Sequence, residues 1–226
     1  MIHNDPRRAA RATLFAWLAA GERLAFETAA REARLTSDPT LQRLFRRQAL
    51  QEARHAMIFD VVVRQFCRAD EHAHLHEAAD LGMRTSAIGR WITAAQRSDD
   101  LTGMVIGMQG VMEGIGVALL EAMGPPEHTN ASLFEPIRRM VLAQERSHQH
   151  IGERALATLI ADGRTSVSAV ENALSRAREC GCSLLARHEG VFEQIGRPLA
   201  RMQVAVSEHA EAFLLSSRRL ASRLSA

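Results

Sequence analysis

The chain has 226 residues, long enough for a substantial core, and its 28 basic and 26 acidic residues leave a formal net charge of +2. The two signs are interleaved along the sequence, so the pI near 8.7 does not mark a nucleic-acid footprint, which needs a clustered basic stripe. Alanine, leucine, arginine, glutamate, glutamine and methionine dominate, aromatic residues make up only 4%, and apolar and polar residues nowhere alternate for long. These features exclude a β fold and predict an all-α protein.

Asp5-Pro6 reads as an N-cap and first-turn proline, opening a helix to about Leu35. Asp38-Pro39 repeats the signal for a second helix reaching about Arg68. Residues 69–81 are polar and histidine-rich and are expected to form a loop or frayed helix, with His72, His74 and His76 solvated. A short helix follows at about 83–96. Ser98-Asp99-Asp100 caps a third long helix ending near Met123, before Gly124-Pro125-Pro126 breaks the chain. Ser132 with Glu135 has the form of a capping box for a fourth long helix running to Ala161, closed by Asp162-Gly163. Two more amphipathic helices are expected from Thr165, divided around Gly196-Arg197-Pro198. The organisation expected is a four-helix bundle over 1–163, with a C-terminal helical extension over 164–226 packed on it.

Cys67, Cys180 and Cys182 are odd in number and badly spaced for a disulfide framework, which points to a reducing compartment. The first eight residues lack the layout of a signal peptide, and no apolar run suggests a membrane span of roughly 20 residues. The expectation is a cytoplasmic protein.

The chemistry lies in the helix seams. In the second helix the inward stripe reads Leu41, Phe45, Gln48, Glu52, His55, Phe59, Val62, Phe66, and in the fourth Ile137, Val141, Glu145, His148, Gly152, Ala155, Leu159. The first helix places Glu22 between Leu18 and Ala25, and the third places Glu113 between Gln109 and Gly116. Burying an unpaired carboxylate costs several kcal/mol. Four glutamates and two histidines in mid-seam therefore require positive charge among them, and neither lysine nor a seam arginine is present to supply it. Two metal ions would. One Glu from each of two helices and a Glu-x-x-His from each of the other two is the ligand pattern of bundles that hold a metal pair. Gln51-Glu52-Ala53-Arg54-His55 and Gln144-Glu145-Arg146-Ser147-His148 also read as an internal repeat, each about thirty residues after its partner, Glu22 or Glu113.

On these motifs, from about Gly21 to Gly152, the sequence resembles the ferritin-like di-iron carboxylate superfamily. Gly21-Glu22 with Glu52-x-x-His55 resembles the demethoxyubiquinone hydroxylases. The Gln144–His148 motif and the long second-to-third connection are more similar to the ribonucleotide reductase small subunit and the arylamine N-oxygenases. The resemblance implies two iron ions, with a manganese–iron pair as the variant, and dioxygen as co-substrate. It implies Glu22, Glu52 and His55 for one half of the site and Glu113, Glu145 and His148 for the other, with Glu52 and Glu145 as bridging carboxylates. Its expected activity is that of a non-haem di-iron oxygenase or oxidase acting on a small organic substrate, in the manner of specialised metabolism. An electron-donor protein or reductant and a homodimeric state are expected with it.

Some residues depart from those relatives. The chain has no tyrosine, which removes a tyrosyl-radical role. Val141 stands where arylamine N-oxygenases have a further histidine, and Gln144 where relatives often place an aspartate that orients a histidine. The rival class is a non-enzymatic iron-binding protein or ferroxidase like the storage ferritins, against which the C-terminal extension argues. Five glycines around Glu113 (Gly103, Gly107, Gly110, Gly114, Gly116) are expected to serve either close helix packing or substrate space. Met104, Met108 and Met112 are candidates for lining an apolar pocket.

Overall fold

A computed structural model describes residues 6–123 and 131–225, apart from the side chains of Ala69 and residues 131–134. Helix α1 (Pro6–Leu35) and helix α2 (Pro39–Phe66) form an antiparallel hairpin. Asp38 caps α2, its carboxylate accepting from the Thr40 and Leu41 amides at 2.7 and 3.4 Å. Phe15 of α1 packs against Phe59 and Phe66 of α2 and closes one end of the hairpin.

Residues 69–81, expected as a loop or frayed helix, belong to a full helix α3 (Ala69–Thr85). The polar composition disguised it. Asp70 and Glu71 lie in its first turn, where carboxylates favour the helix dipole, and Glu71 accepts from the Arg68 amide. On its inner side Ala79 and Met83 are buried, and Asp80 pairs with Arg23 of α1. Helix α4 (Ala87–Arg97) follows after Ser86, whose hydroxyl caps it through the Gly89 amide.

The third long rod is not a uniform α-helix. Helix α5 (Leu101–Gly107) passes into a π-helical turn (Met108–Met112) and then into helix α6 (Glu113–Ala122). The Glu113 amide bonds the Met108 carbonyl, five residues back. The stretch Leu101–Ala122 is long and apolar enough to cross a membrane, with mean hydropathy 1.5, contrary to the expectation from sequence. In its most apolar 18-residue window 89% is buried inside the protein, and it contains Gln109 and Glu113 in mid-length, so it is the core helix of the bundle.

Helix α7 (Ala131–Ala161) completes the four. The Gly124-Pro125-Pro126 break, the Asp5 cap and the Ser132 half of the proposed capping box lie outside the described residues and side chains. Gly163 takes φ +68° to end α7. Beyond it come α8 (Val167–Ala186), a short α9 (Glu189–Gln194) and α10 (Leu199–Leu224), one more than expected. Leu174, Leu185, Phe192, Val206 and Phe213 from these helices belong to the same buried cluster as Phe45 and Ile106.

Candidate metal centre

The six seam residues meet at one depth in the bundle. All six are buried, none more than 7% exposed. Donor atoms of Glu22, Glu52, His55 and Glu145 lie within 4.8 Å of one another, and so do those of Glu52, Glu113 and His148. The two groups share Glu52.

The contacts have a two-fold pattern. Glu52 turns Oε2 to His55 Nδ1 at 3.3 Å and Oε1 to His148 Nδ1 at 2.9 Å. Glu145 turns Oε1 to His55 Nδ1 at 3.0 Å and Oε2 to His148 Nδ1 at 3.6 Å. Each of these carboxylates therefore spans both halves, whereas Glu22 approaches His55 alone (3.3 Å) and Glu113 approaches His148 alone (3.8 Å).

Each histidine is fixed from behind by the other motif's glutamine. His55 Nε2 lies 2.6 Å from Gln144 Oε1, and His148 Nε2 lies 3.1 Å from Gln51 Oε1. An Nε2–H donating to each amide oxygen leaves Nδ1, the atom facing the carboxylates, as the free lone pair once the ring is neutral. Gln144 thus takes the orienting position expected of it. The matching role of Gln51 was missed, although the internal repeat contained the signal.

Electrostatics bears on whether this chain fits a metal. Burial, with the charges of Glu145 and Glu52, pushes Glu22 and Glu113 well above the usual carboxylate range. Glu145 and Glu52 are held below it despite burial, Glu145 through its close contacts with Glu113, His148 and His55, and Glu52 chiefly by the His148 charge. Burial opposes protonation of the histidines, yet the carboxylates of Glu145, Glu22 and Glu52 facing Nδ1 raise His55, and the Glu52 charge lifts His148 to about 9. Even so, Glu52 Oε2, Glu145 Oε1 and His148 Nδ1 are buried with no hydrogen-bond partner. Orphaned buried polar atoms are rare. Three of them spread over the two donor groups, all oxygen or imidazole nitrogen donors, fit divalent ions that take mixed carboxylate and imidazole ligands.

No family model matches the sequence, and no curated protein matches it. Among solved structures, the chain is similar to "Protein 19 with aldehyde deformylating oxidase activity from Synechococcus", with a TM-score of 0.78 at 19% identity over 96% of this chain and 97% of that one. The fold is ferritin-like. In that ferritin-like frame the two Glu-x-x-His helices are α2 and α7, and the single glutamates come from α1 and from the start of α6.

A polar column that sequence reasoning left without a role extends from the site along the bundle axis. Gln48 Nε2 donates to Glu52 Oε1 and to Glu113 Oε1, both at 3.0 Å. Gln109 Nε2 donates to Gln48 Oε1 at 3.4 Å and to Glu32 Oε2 at 3.0 Å. Glu32 is wholly buried, and burial raises it to about 8. Its signal was available, since it continues the α1 stripe of Glu22, Ala25 and Ala29.

The glycines divide between close helix packing and open space. A Cβ on Gly107 would strike Ile92 and Trp91, one on Gly110 would crowd Leu174 and Phe213, and one on Gly114 would meet the His209 ring at 2.6 Å. Gly116 has nothing within 4 Å and lines a narrow apolar cavity with Trp17, Met83, Met108, Met112 and Leu184. Glu22, Glu113 and Glu145 form the polar end of that cavity. Met104 is core instead. Two further acids near the site glutamates in sequence, Glu27 and Glu121, are exposed and paired elsewhere, Glu27 with Arg84 and Glu121 with Arg146. His72 and His76, expected to be solvated, share one face of α3 with Nε2 atoms 3.0 Å apart, and His76 is half-buried beside Asp60 and Arg23.

Proposed function

We propose that this chain is a di-iron oxidase that activates dioxygen and oxidises a small apolar substrate bound in the cavity beside the metals. Glu22, Glu52, His55, Glu113, Glu145 and His148 would hold the iron pair, with Glu52 and Glu145 shared between the two ions. The observation behind this reading is that these two carboxylates alone each present one oxygen to each histidine. A reduced iron pair supplies electrons to dioxygen. The protein's own contribution is to orient the imidazoles through Gln51 and Gln144, to exclude bulk water, and to offer the substrate an apolar passage ending at three carboxylates.

The cavity favours this over an iron-storage role, because mineralisation needs no apolar passage at the site. The solved structure with aldehyde-deformylating oxidase activity suggests the first substrate to try, an aliphatic aldehyde whose chain occupies the passage with its carbonyl at the carboxylate end. The test is metal content followed by turnover. The chain should bind two ferrous ions, and Glu52→Ala or His148→Ala should lose that stoichiometric binding while the helical circular dichroism is kept. Oxygen consumption by the iron-loaded protein should rise with added aldehyde. Both metals retained in either variant, or substrate-independent accumulation of many irons per chain, would overturn the reading.

A further inference from the structure

Helix α2 has a second organised face. Positions two residues on from the seam are rotated by about 200° around the helix, so the stripe through residues 43, 47, 50, 54, 57, 61 and 64 is diametrically opposite Glu52 and His55. Every one of these residues is exposed. Four are arginines, Arg43, Arg47, Arg54 and Arg64, and the stripe contains no acid. The other three are large and apolar, Leu50 (61% exposed), Met57 (61%) and Val61 (58%). Among the described residues Arg47, Arg54 and Arg64 form no ion pair, in contrast with the outer arginines of α7, where Arg139, Arg146 and Arg154 pair with Glu135, Glu121 and Asp38. The acid that α2 does show, Asp60, is taken up by Arg23.

Unpaired arginines interleaved with exposed methionine and aliphatic side chains have the composition of a protein interface, in which arginine and methionine are enriched. We infer that the outer face of α2 is the docking surface for an acidic electron-carrier protein. The inference rests on the di-iron reading above. A carrier docked there would be one helix diameter, about 10 Å, from the residues proposed to hold the metals. Each docked carrier would lose one electron as one ferric ion becomes ferrous, so two dockings would reduce the pair. A second copy of this chain fits the face poorly. In an isologous antiparallel pairing centred on the stripe, Arg54 would lie against its own copy and Arg43 near Arg64, placing like charges opposite each other.

The probe is a small acidic [2Fe–2S] carrier protein, and the comparison is between the wild-type chain and the Arg47→Glu/Arg64→Glu double variant, whose helicity and melting temperature serve as folding controls. Calorimetry on the metal-free chain should show the carrier binding wild type with salt-sensitive affinity and the variant at least tenfold more weakly. With iron bound, reduction by the carrier should slow at least tenfold in the variant, while reduction by dithionite is unchanged. Equal carrier affinity in the two proteins, or no carrier binding by wild type, would overturn the proposal. So would charge-dependent binding of phosphatidylglycerol vesicles without carrier binding, or a wild-type dimer that Leu50→Asp/Met57→Asp dissolves. Failure to take up iron would sink the proposed function, and the calorimetric comparison would still decide the docking face.

Discussion

Gln48 donates to carboxylates on two different helices, Glu52 of α2 and Glu113 of α6. A single amide thus fixes the rotamers of Glu52, which faces both histidines, and of Glu113, which faces His148, and Gln109 fixes that amide in turn. Removing such an outer contact costs roughly 10–100-fold in metal affinity in comparable sites. Gln48→Leu keeps the volume and loses the donor, so it is expected to weaken ferrous binding by about that factor, measured by competition with a chromophoric chelator. Glu32 at the far end makes a separate prediction. Its folded pKa of about 8 lies above the ordinary 4.5, so its contribution to stability is full below about pH 4.5 and is lost as pH rises towards 8. The loss is up to about 5 kcal/mol at 1.36 kcal/mol per unit. Glu32→Gln has no such loss, and the difference in unfolding free energy between variant and wild type should grow from pH 5 to pH 9. A difference independent of pH would show that Glu32 is not held neutral by the fold. The six central residues were legible in the sequence because a charge in an apolar stripe is anomalous. Gln48 and Gln109 stood in the same stripes and drew no attention, because an uncharged amide carries no large burial penalty that demands an explanation.

At the level of elements, the least legible feature was the π turn. Capping residues and apolar spacing announced the rod beginning at Asp100, but one residue inserted into a helix leaves no composition signal. Its support comes from a distant helix. His209 of α10 donates from Nε2 to the Gln109 carbonyl at 3.0 Å, inside the turn that precedes Glu113, and Gly114 leaves room for its ring. Gly114→Ala would place a methyl group 2.6 Å from that ring, an overpacking that typically costs 1–3 kcal/mol. Thermal melting should fall for Gly114→Ala and recover part of the loss in Gly114→Ala/His209→Ala, a non-additivity expected only of groups in contact. Additive losses would show that the two do not meet. Helix α3 was missed for the opposite reason. Its histidines looked like a solvated tract because alternation spreads neighbours around a helix, yet His72 and His76 are one turn apart and only His74 points fully outward.

Across the whole molecule, the bundle was legible because four long helices with two caps of the Asp-Pro type leave few arrangements, whereas the placement of α8 and α10 was not, since their amphipathic faces fit several positions on a bundle. The packed result encloses four carboxyl groups and two imidazoles, and their protonation shows how such a core tolerates them. Without metal, Glu22 and Glu113 are shifted towards the acid form, Glu52 and Glu145 towards the anion, and both histidines towards the cation. In the limit of those shifts two anions balance two cations, and the cluster is neutral. Ligation requires four carboxylates and two neutral imidazoles, a charge of −4 that two divalent ions cancel. Both states are neutral, and they differ by four protons. Loading two metals near pH 7 should therefore release about four protons, two per ion, and affinity should tighten steeply as pH rises towards the His148 value of about 9. Calorimetric titration with manganous or ferrous ion in buffers of different ionisation enthalpy reads the proton count directly. The same exchange predicts that stripping the metals raises no bare charge inside the bundle, so the metal-free protein should stay helical and melt at a lower temperature, by the amount that mass action on the native state alone allows. Release of no protons, or unfolding on metal removal at neutral pH, would show that the six residues are not charged as the structure indicates.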